Sequence, residues 1–135
     1  MLKSRPPSTG KTILLAEAEL SLRMLVCNAL AREGYQVVCA SDGREAIQTG
    51  ARHDCAIDLF VTDVTLPGFG GSHLAELMKL DYPQLKVVYL ASFTDRDICA
   101  LRRESKVILL QYSGWTDALV GAVRDVLAKP VASTL

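Results

Sequence analysis

Short apolar runs alternate with amphipathic segments along this chain, and the alternation occurs five times. Each run is a continuous stretch of four or five residues of mostly branched, aromatic or small apolar character, which is typical of strands that are buried on both faces. The predicted strands are Ile13–Ala16, Val37–Ala40, Ile57–Val61, Val87–Ala91 and Val107–Leu110.

The segments between these runs have the period of amphipathic helices. After the first run, apolar residues recur at Leu22, Leu25, Val26, Ala29 and Leu30, and Gly34 follows where a helix would end. Five strands that alternate with five helices predict a parallel sheet, because parallel strands are joined by right-handed crossovers. We therefore expect an α/β fold with a doubly wound sheet and helices on both faces.

The carboxyl ends of the strands are where an open α/β sheet carries its functional site. The stretches that fall there are Ala16–Glu19, Asp63–Phe69, Ala91–Phe93 and Tyr112–Trp115. Glu17 and Asp63 are two acids at strand ends, and the pattern leaves two interpretations open. They are either separate solvated carboxylates or the two walls of one small acidic pocket.

Composition narrows the class of protein. A chain of 135 residues and 14.7 kDa buries about two-thirds of its surface on folding, which suits one domain. Its 15 Lys and Arg balance its 15 Asp and Glu, so we expect neither nucleic-acid nor membrane binding. The sequence shows no apolar segment of membrane-spanning length and no signal peptide, so a cytoplasmic location is expected. The predicted boundaries are a flexible leader (1–10), the domain (11–128) and a tail (129–135).

Four stretches of the chain, in order and at suitable spacing, resemble the receiver domain of response regulators. They are Lys11–Glu19, Glu33–Val38 together with Ser41–Ala46, Asp58–Gly68 and Ala118–Leu127. The resemblance implies the flavodoxin-like strand order 2-1-3-4-5 and a role in two-component phosphorelay signalling, as a signalling module rather than an enzyme. It implies that a histidine kinase or phosphotransfer protein phosphorylates Asp63.

The same resemblance shows departures around the acceptor. Typical receivers carry an acidic pair after the first strand, and here Glu17 is followed by Ala18. Mg²⁺ prefers carboxylates, carbonyls and waters, so a site made of Glu17, Asp63 and the Thr65 carbonyl is expected to bind it weakly or not at all. Replacing one carboxylate by Ala18 also removes a repulsion of about 4 kcal/mol in the metal-free state.

The residues that sense the phosphoryl group in typical receivers are also replaced. Ala91 stands at the hydroxyl position and Tyr112 at the lysine position. Losing two charge-assisted hydrogen bonds removes about 3–6 kcal/mol, comparable with the roughly 5.5 kcal/mol needed for a full population switch. Two alternatives stay open: a bulge could bring Ser92 into the hydroxyl position, and Lys106 could reach the pocket.

Three functions therefore compete. The first is a receiver that accepts phosphate at Asp63 with altered output, and the second is a pseudo-receiver that binds a kinase, phosphotransfer protein or effector without phosphorylation. The third is a flavodoxin-like ligand-binding protein or small enzyme, which the acidic sequence after the first strand disfavours. Tyr112 and Trp115 are either packing residues of the last helix or a partner surface, and an oligomer is possible.

Overall fold

The computed structural model describes residues 8–52, 56–68, 70–92 and 98–129. These residues form five strands and five helices that alternate along the chain. The elements are β1 (Thr12–Ala16), α1 (Leu20–Ala31), β2 (Gln36–Ala40), α2 (Gly43–Arg52), β3 (Leu59–Asp63), α3 (Gly71–Asp81), β4 (Lys86–Ala91), α4 (Ile98–Glu104), β5 (Lys106–Leu109) and α5 (Trp115–Ala128).

The five strands form one parallel sheet in the order β2-β1-β3-β4-β5. This confirms the predicted fold class and strand order. The strand ends are level with one another, because Ala16 pairs with Thr62 and Ala91 pairs with Leu109. The loops after β1, β3, β4 and β5 therefore open on the same edge of the sheet.

Side chains of alternate strand residues enter two separate cores. Leu14 and Phe60 belong to the core beneath α2 and α3, together with Leu74. Leu15 and Val61 belong to the core on the other face, beneath α1 and α5. All of these residues are fully buried, so the strands are apolar throughout, as the continuous runs in the sequence require.

All five strands differ in their limits from the sequence prediction. β1, β2 and β4 each begin one residue earlier than predicted and end where predicted. β3 lies two residues later than predicted and reaches Asp63, because Thr62 and Asp63 still pair with Tyr89 and Leu90 of β4. β5 lies one residue earlier and ends at Leu109. The consequence for the site is that Asp63 is held by the sheet, whereas the residues after Leu109 are not.

The predicted terminal boundaries are only partly within the described ranges. Residues 1–7 of the leader and 130–135 of the tail lie outside them. At the described end of the leader, the Thr9 amide donates to the Gly34 carbonyl at 3.1 Å. None of the helices in the described ranges has both the length and the apolar character needed to cross a membrane.

Candidate functional site

Asp63 is the last residue of β3 and is half-buried. Its Oδ1 accepts two hydrogen bonds from Thr65, one from the amide at 3.0 Å and one from Oγ1 at 3.2 Å. A carboxylate at the start of a turn commonly accepts the amide two residues on in this way. The strand and the turn together fix the Asp63 carboxylate at the carboxyl edge of the sheet.

Glu17 directly follows β1 and is only 2% exposed. Its Oε2 accepts the Glu19 amide at 3.0 Å, while Oε1 has no hydrogen-bond partner among the described residues. Burial and the nearby charge of Asp63 raise the pKa of Glu17 and the Glu19 and Ala18 amides lower it, with the net result that the pKa rises from 4.5 to about 7. Glu17 and Asp63 therefore lie close enough to interact, and we call the space between their carboxylates the acidic pocket.

The start of α3 lies unusually close to the end of β3. The Gly71 amide donates to the Val64 carbonyl at 2.8 Å. A Cβ atom at Gly71 would lie 2.1 Å from the Asp63 carbonyl oxygen and 3.1 Å from Val64 Cα. Only a residue without a side chain fits there, so Gly71 sets the distance between α3 and the strand that carries Asp63.

Side chains of α1 hold the loop that carries Glu17. Glu19 is the N-cap of α1 and accepts the Ser21 and Leu22 amides at 3.0 and 2.9 Å. Arg23 Nη1 donates to the Glu17 carbonyl at 2.8 Å. Arg23 was not singled out from the sequence, because an arginine one turn into a helix carries no signal for a contact with the preceding loop.

The residues on the β4 and β5 side of the edge include no lysine at a strand end. Ser92 follows β4 directly, and Gln111 Nε2 donates to its Oγ at 2.9 Å. Pairing from Val88 to Ala91 is regular, without a bulge. Lys106 opens β5 and so belongs to the opposite edge of the sheet. Gln111 was not singled out from the sequence, since no pattern marks it.

Tyr112 and Trp115 differ in their surroundings. Tyr112 lies three residues beyond β5 and is 56% exposed, so it does not stand at the strand end where the resemblance to receiver domains places it. Trp115 begins α5 and packs in part against the core beneath that helix. Both residues line a shallow cavity of about 230 Å³ beside β5. Phe69 and Phe93, which the predicted edge stretches included, lie outside the described residues.

The acidic pocket supplies few ligands for a cation. Among the described residues there is no group of three or more His, Cys, Asp or Glu side chains that could hold a metal ion. Glu17 and Asp63 provide carboxylate oxygens, one of which is buried and unpartnered, and these suit Mg²⁺ in kind. The neighbouring Ala18 is exposed and offers no side-chain ligand.

The sheet order and the acids at its carboxyl edge define a flavodoxin-like α/β domain with an acidic site. The family model of the response regulator receiver domain matches residues 13–102. Because this match spans more than half of the chain, the chain belongs to the response regulator receiver family. It is a receiver domain of two-component signal transduction.

Individual relatives agree with this assignment. The chain is 29% identical over 124 residues to the CAI-1 autoinducer sensor kinase/phosphatase CqsS of Vibrio cholerae, covering 91% of this chain and 17% of that protein. It is 24% identical over 123 residues to the chemotaxis protein CheY of Thermotoga maritima, covering 90% of this chain and 87% of CheY. Against CqsS, the sensor kinase CckA and the response regulator FleR, it spans only 17%, 10% and 19% of the longer protein.

Solved structures show the same fold. A response regulator receiver domain protein from Clostridium thermocellum superimposes with a TM-score of 0.76 at 21% identity, over 87% of this chain and 94% of that one. The response regulator TrrA from Thermotoga maritima, in complex with Mg²⁺ and BeF, gives a TM-score of 0.72 at 23% identity, over 86% and 98%.

Proposed function

We propose that this receiver domain accepts a phosphoryl group on Asp63 and that its response to the group differs from that of a typical receiver. The observation that carries the proposal is the pairing of a sheet-anchored, half-buried Asp63 with a buried Glu17. A carboxylate fixed at this edge and still reached by solvent is a suitable acceptor for a phosphodonor.

The reaction is a group transfer onto a carboxylate. An oxygen of Asp63 attacks the phosphorus of a phosphohistidine, a new P–O bond forms and the P–N bond breaks, and the leaving imidazole takes a proton from solvent. The hydrogen bonds from Thr65 to Oδ1 keep the carboxylate in one orientation for this attack. The expected donor is a histidine kinase or phosphotransfer protein, and the domain itself acts as a signalling module rather than an enzyme.

Glu17, Asp63 and the Thr65 carbonyl are the groups that would hold Mg²⁺ at this site. When bound, Mg²⁺ neutralises charge on the transferring group. With an alanine at position 18, we propose that the site binds the ion weakly. A buried Glu17 whose pKa is raised to about 7 weakens binding further near neutral pH, because its proton competes with the ion.

The groups beside β4 and β5 suggest an altered output. Ala91 offers no hydroxyl, and Ser92 Oγ already accepts the Gln111 amide. The neutral amide of Gln111 would form a weaker hydrogen bond with a phosphoryl oxygen than the charged amine of a lysine would. Charge-assisted hydrogen bonds are about twice as strong as neutral ones. We infer that phosphorylation moves β5 less than it does in receivers that have both sensing groups.

Treatment with acetyl phosphate at high Mg²⁺ tests phosphorylation at Asp63. We expect intact-mass measurement to find one phosphoryl group on the wild-type protein and none on Asp63→Asn. Asp58→Asn, which changes an acid at the opposite end of β3, is the matched control and should be modified like the wild type. Modification of Asp63→Asn to the wild-type extent, or no adduct on the wild type, would contradict the proposal.

Restoring a second acid should strengthen metal binding. We expect Ala18→Asp to bind Mg²⁺ at least about tenfold more tightly, because it adds a carboxylate next to Glu17. Calorimetric titration with MgCl₂ measures the change. Ala118→Asp places the same charge on an exposed position in the first turn of α5, and it should leave the affinity unchanged. Equal affinities for wild type and Ala18→Asp would show that position 18 does not limit binding.

A pseudo-receiver that works without phosphorylation is the second candidate. The observation that favours it is the exposed ring of Tyr112 beside Trp115 on a shallow cavity next to β5, where an aromatic side chain could anchor a partner protein. On this account, the same partner would bind wild type and Asp63→Asn with equal affinity, whether or not a phosphodonor is present.

A further inference from the structure

A cavity of about 460 Å³ lies at the amino edge of the sheet, opposite the edge that carries Asp63. Cations from five different parts of the fold line it. They are Lys79 of α3, Lys86 of β4, Arg102 and Arg103 of α4, Lys106 of β5, and Lys129 after α5. Glu104 is the one carboxylate among the described residues of the lining. We call this feature the basic cavity.

The partial negative charges at helix ends compensate for part of this positive charge. Lys86 Nζ donates to the carbonyls of Val126 and Lys129 at the end of α5. Lys79, Arg102 and Arg103 lie in the last turns of α3 and α4, where cations are favourable because each helix end carries about −0.5 charge. Three such ends and Glu104 still leave an excess of about three to four positive charges in the basic cavity.

The remaining cations form no ion pair with a carboxylate of the described residues. Within the described ranges, Arg124 and Glu33 form an ion pair, but neither residue lines the basic cavity. Like charges brought together from five parts of the fold repel one another. An anion bound among them would reduce this repulsion, and Glu104 alone among the described lining residues supplies a negative charge.

We propose that the basic cavity binds a soluble, compact anion that carries two or more adjacent phosphate groups. Two phosphates match an excess of about three to four positive charges, because each carries about −1.5 to −2. The guanidinium groups of Arg102 and Arg103 have the planar fork that pairs with phosphate oxygens. The cavity volume also lies within the range of small-ligand sites.

The surroundings favour a compact anion over an extended one. A second cavity, of about 440 Å³, adjoins the basic cavity through Leu85 and Lys86. Its lining pairs the carboxylates of Asp58 and Asp81 with Lys11 and Lys86, so the excess of positive charge does not continue along this edge as an extended polyanion would require. The basic cavity also has no aromatic residue in its described lining on which a base could stack.

Calorimetric titration with inorganic pyrophosphate, without Mg²⁺ and at constant ionic strength, tests the proposal. We expect saturable one-to-one binding to the wild type and binding at least about tenfold weaker to Arg103→Gln/Lys106→Gln, which loses two charge-assisted contacts. Arg32→Gln/Arg44→Gln removes the same charge from exposed positions on the α1 and α2 side and should bind like the wild type. Asp63→Asn should also bind like the wild type, which keeps this test independent of the phosphorylation experiment.

Three results would overturn the proposal. The first is the absence of saturable binding to the wild type, and the second is equal weakening in the cavity variant and its charge-matched control. The third is tighter binding of a single-stranded oligonucleotide, or of phosphatidylcholine vesicles containing phosphatidylserine, than of pyrophosphate. That result would assign the basic cavity to an extended polyanion.

Discussion

Gly71→Ala is expected to destabilise the domain by about 2–3 kcal/mol, the upper part of the range for overpacked positions. The added methyl group would lie 2.1 Å from the Asp63 carbonyl oxygen, so α3 must move away from β3. That movement would also stretch the hydrogen bond from the Gly71 amide to Val64. Urea denaturation followed by far-ultraviolet circular dichroism measures the loss.

Gly121→Ala is the matched control for this prediction. Gly121 lies within α5, and a Cβ there would meet no atom within 4 Å. Alanine is favoured over glycine inside a helix by about 0.8–1 kcal/mol, so this variant should gain stability by about that amount. Similar changes in the two variants would mean that the close approach of α3 to β3 is not a constraint on the fold.

Glu17→Gln is expected to stabilise the metal-free domain at pH 8 by up to about 3 kcal/mol, the equivalent of a pKa difference of about 2.5 units. Burial raises the pKa of Glu17 from 4.5 to about 7, so the folded protein holds this proton more tightly than the unfolded chain. The resulting stabilisation is complete below pH 4.5 and is lost as the pH rises through about 7. A glutamine has no proton to lose, so its advantage appears only as the pH rises.

Denaturation in EDTA at pH 5 and at pH 8 measures this effect. The stabilisation by Glu17→Gln should be small at pH 5 and large at pH 8. Glu76→Gln, at an exposed position on α3, should change stability little at either pH. A Glu17→Gln variant that matches the wild type at pH 8 would show that the buried carboxyl ionises without cost.

The sheet was predictable because its strands are buried on both faces. Leu14 and Leu15 enter opposite cores, so both must be apolar, and this requirement produces the continuous runs in the sequence. Asp63 was also predictable as an acid at a strand end. The strand limits were less accurate, since pairing between β3 and β4 extends β3 through Thr62 and Asp63, two polar residues that do not continue the apolar run.

Contacts between distant segments explain what the sequence did not reveal. Leu25 has the spacing of a buried helix residue, yet it is 49% exposed, because α1 buries a narrower face around Val26 and Leu30. The hydrogen bond between Gln111 and Ser92 joins the ends of two strands. The sequence has no periodicity that marks such a pair, so it becomes visible only when the register of β4 and β5 is known.

Two-dimensional ¹H–¹⁵N NMR of the wild type at high Mg²⁺, before and after addition of beryllofluoride, tests whether a group bound at Asp63 leaves β5 largely unmoved. Beryllofluoride stands in for the phosphoryl group of an aspartyl phosphate. We expect shifted amide resonances at Glu17 and at Asp63–Thr65, with little change from Val107 to Trp115. Unchanged resonances around Asp63, or a concerted shift through β5 and the start of α5, would contradict this expectation.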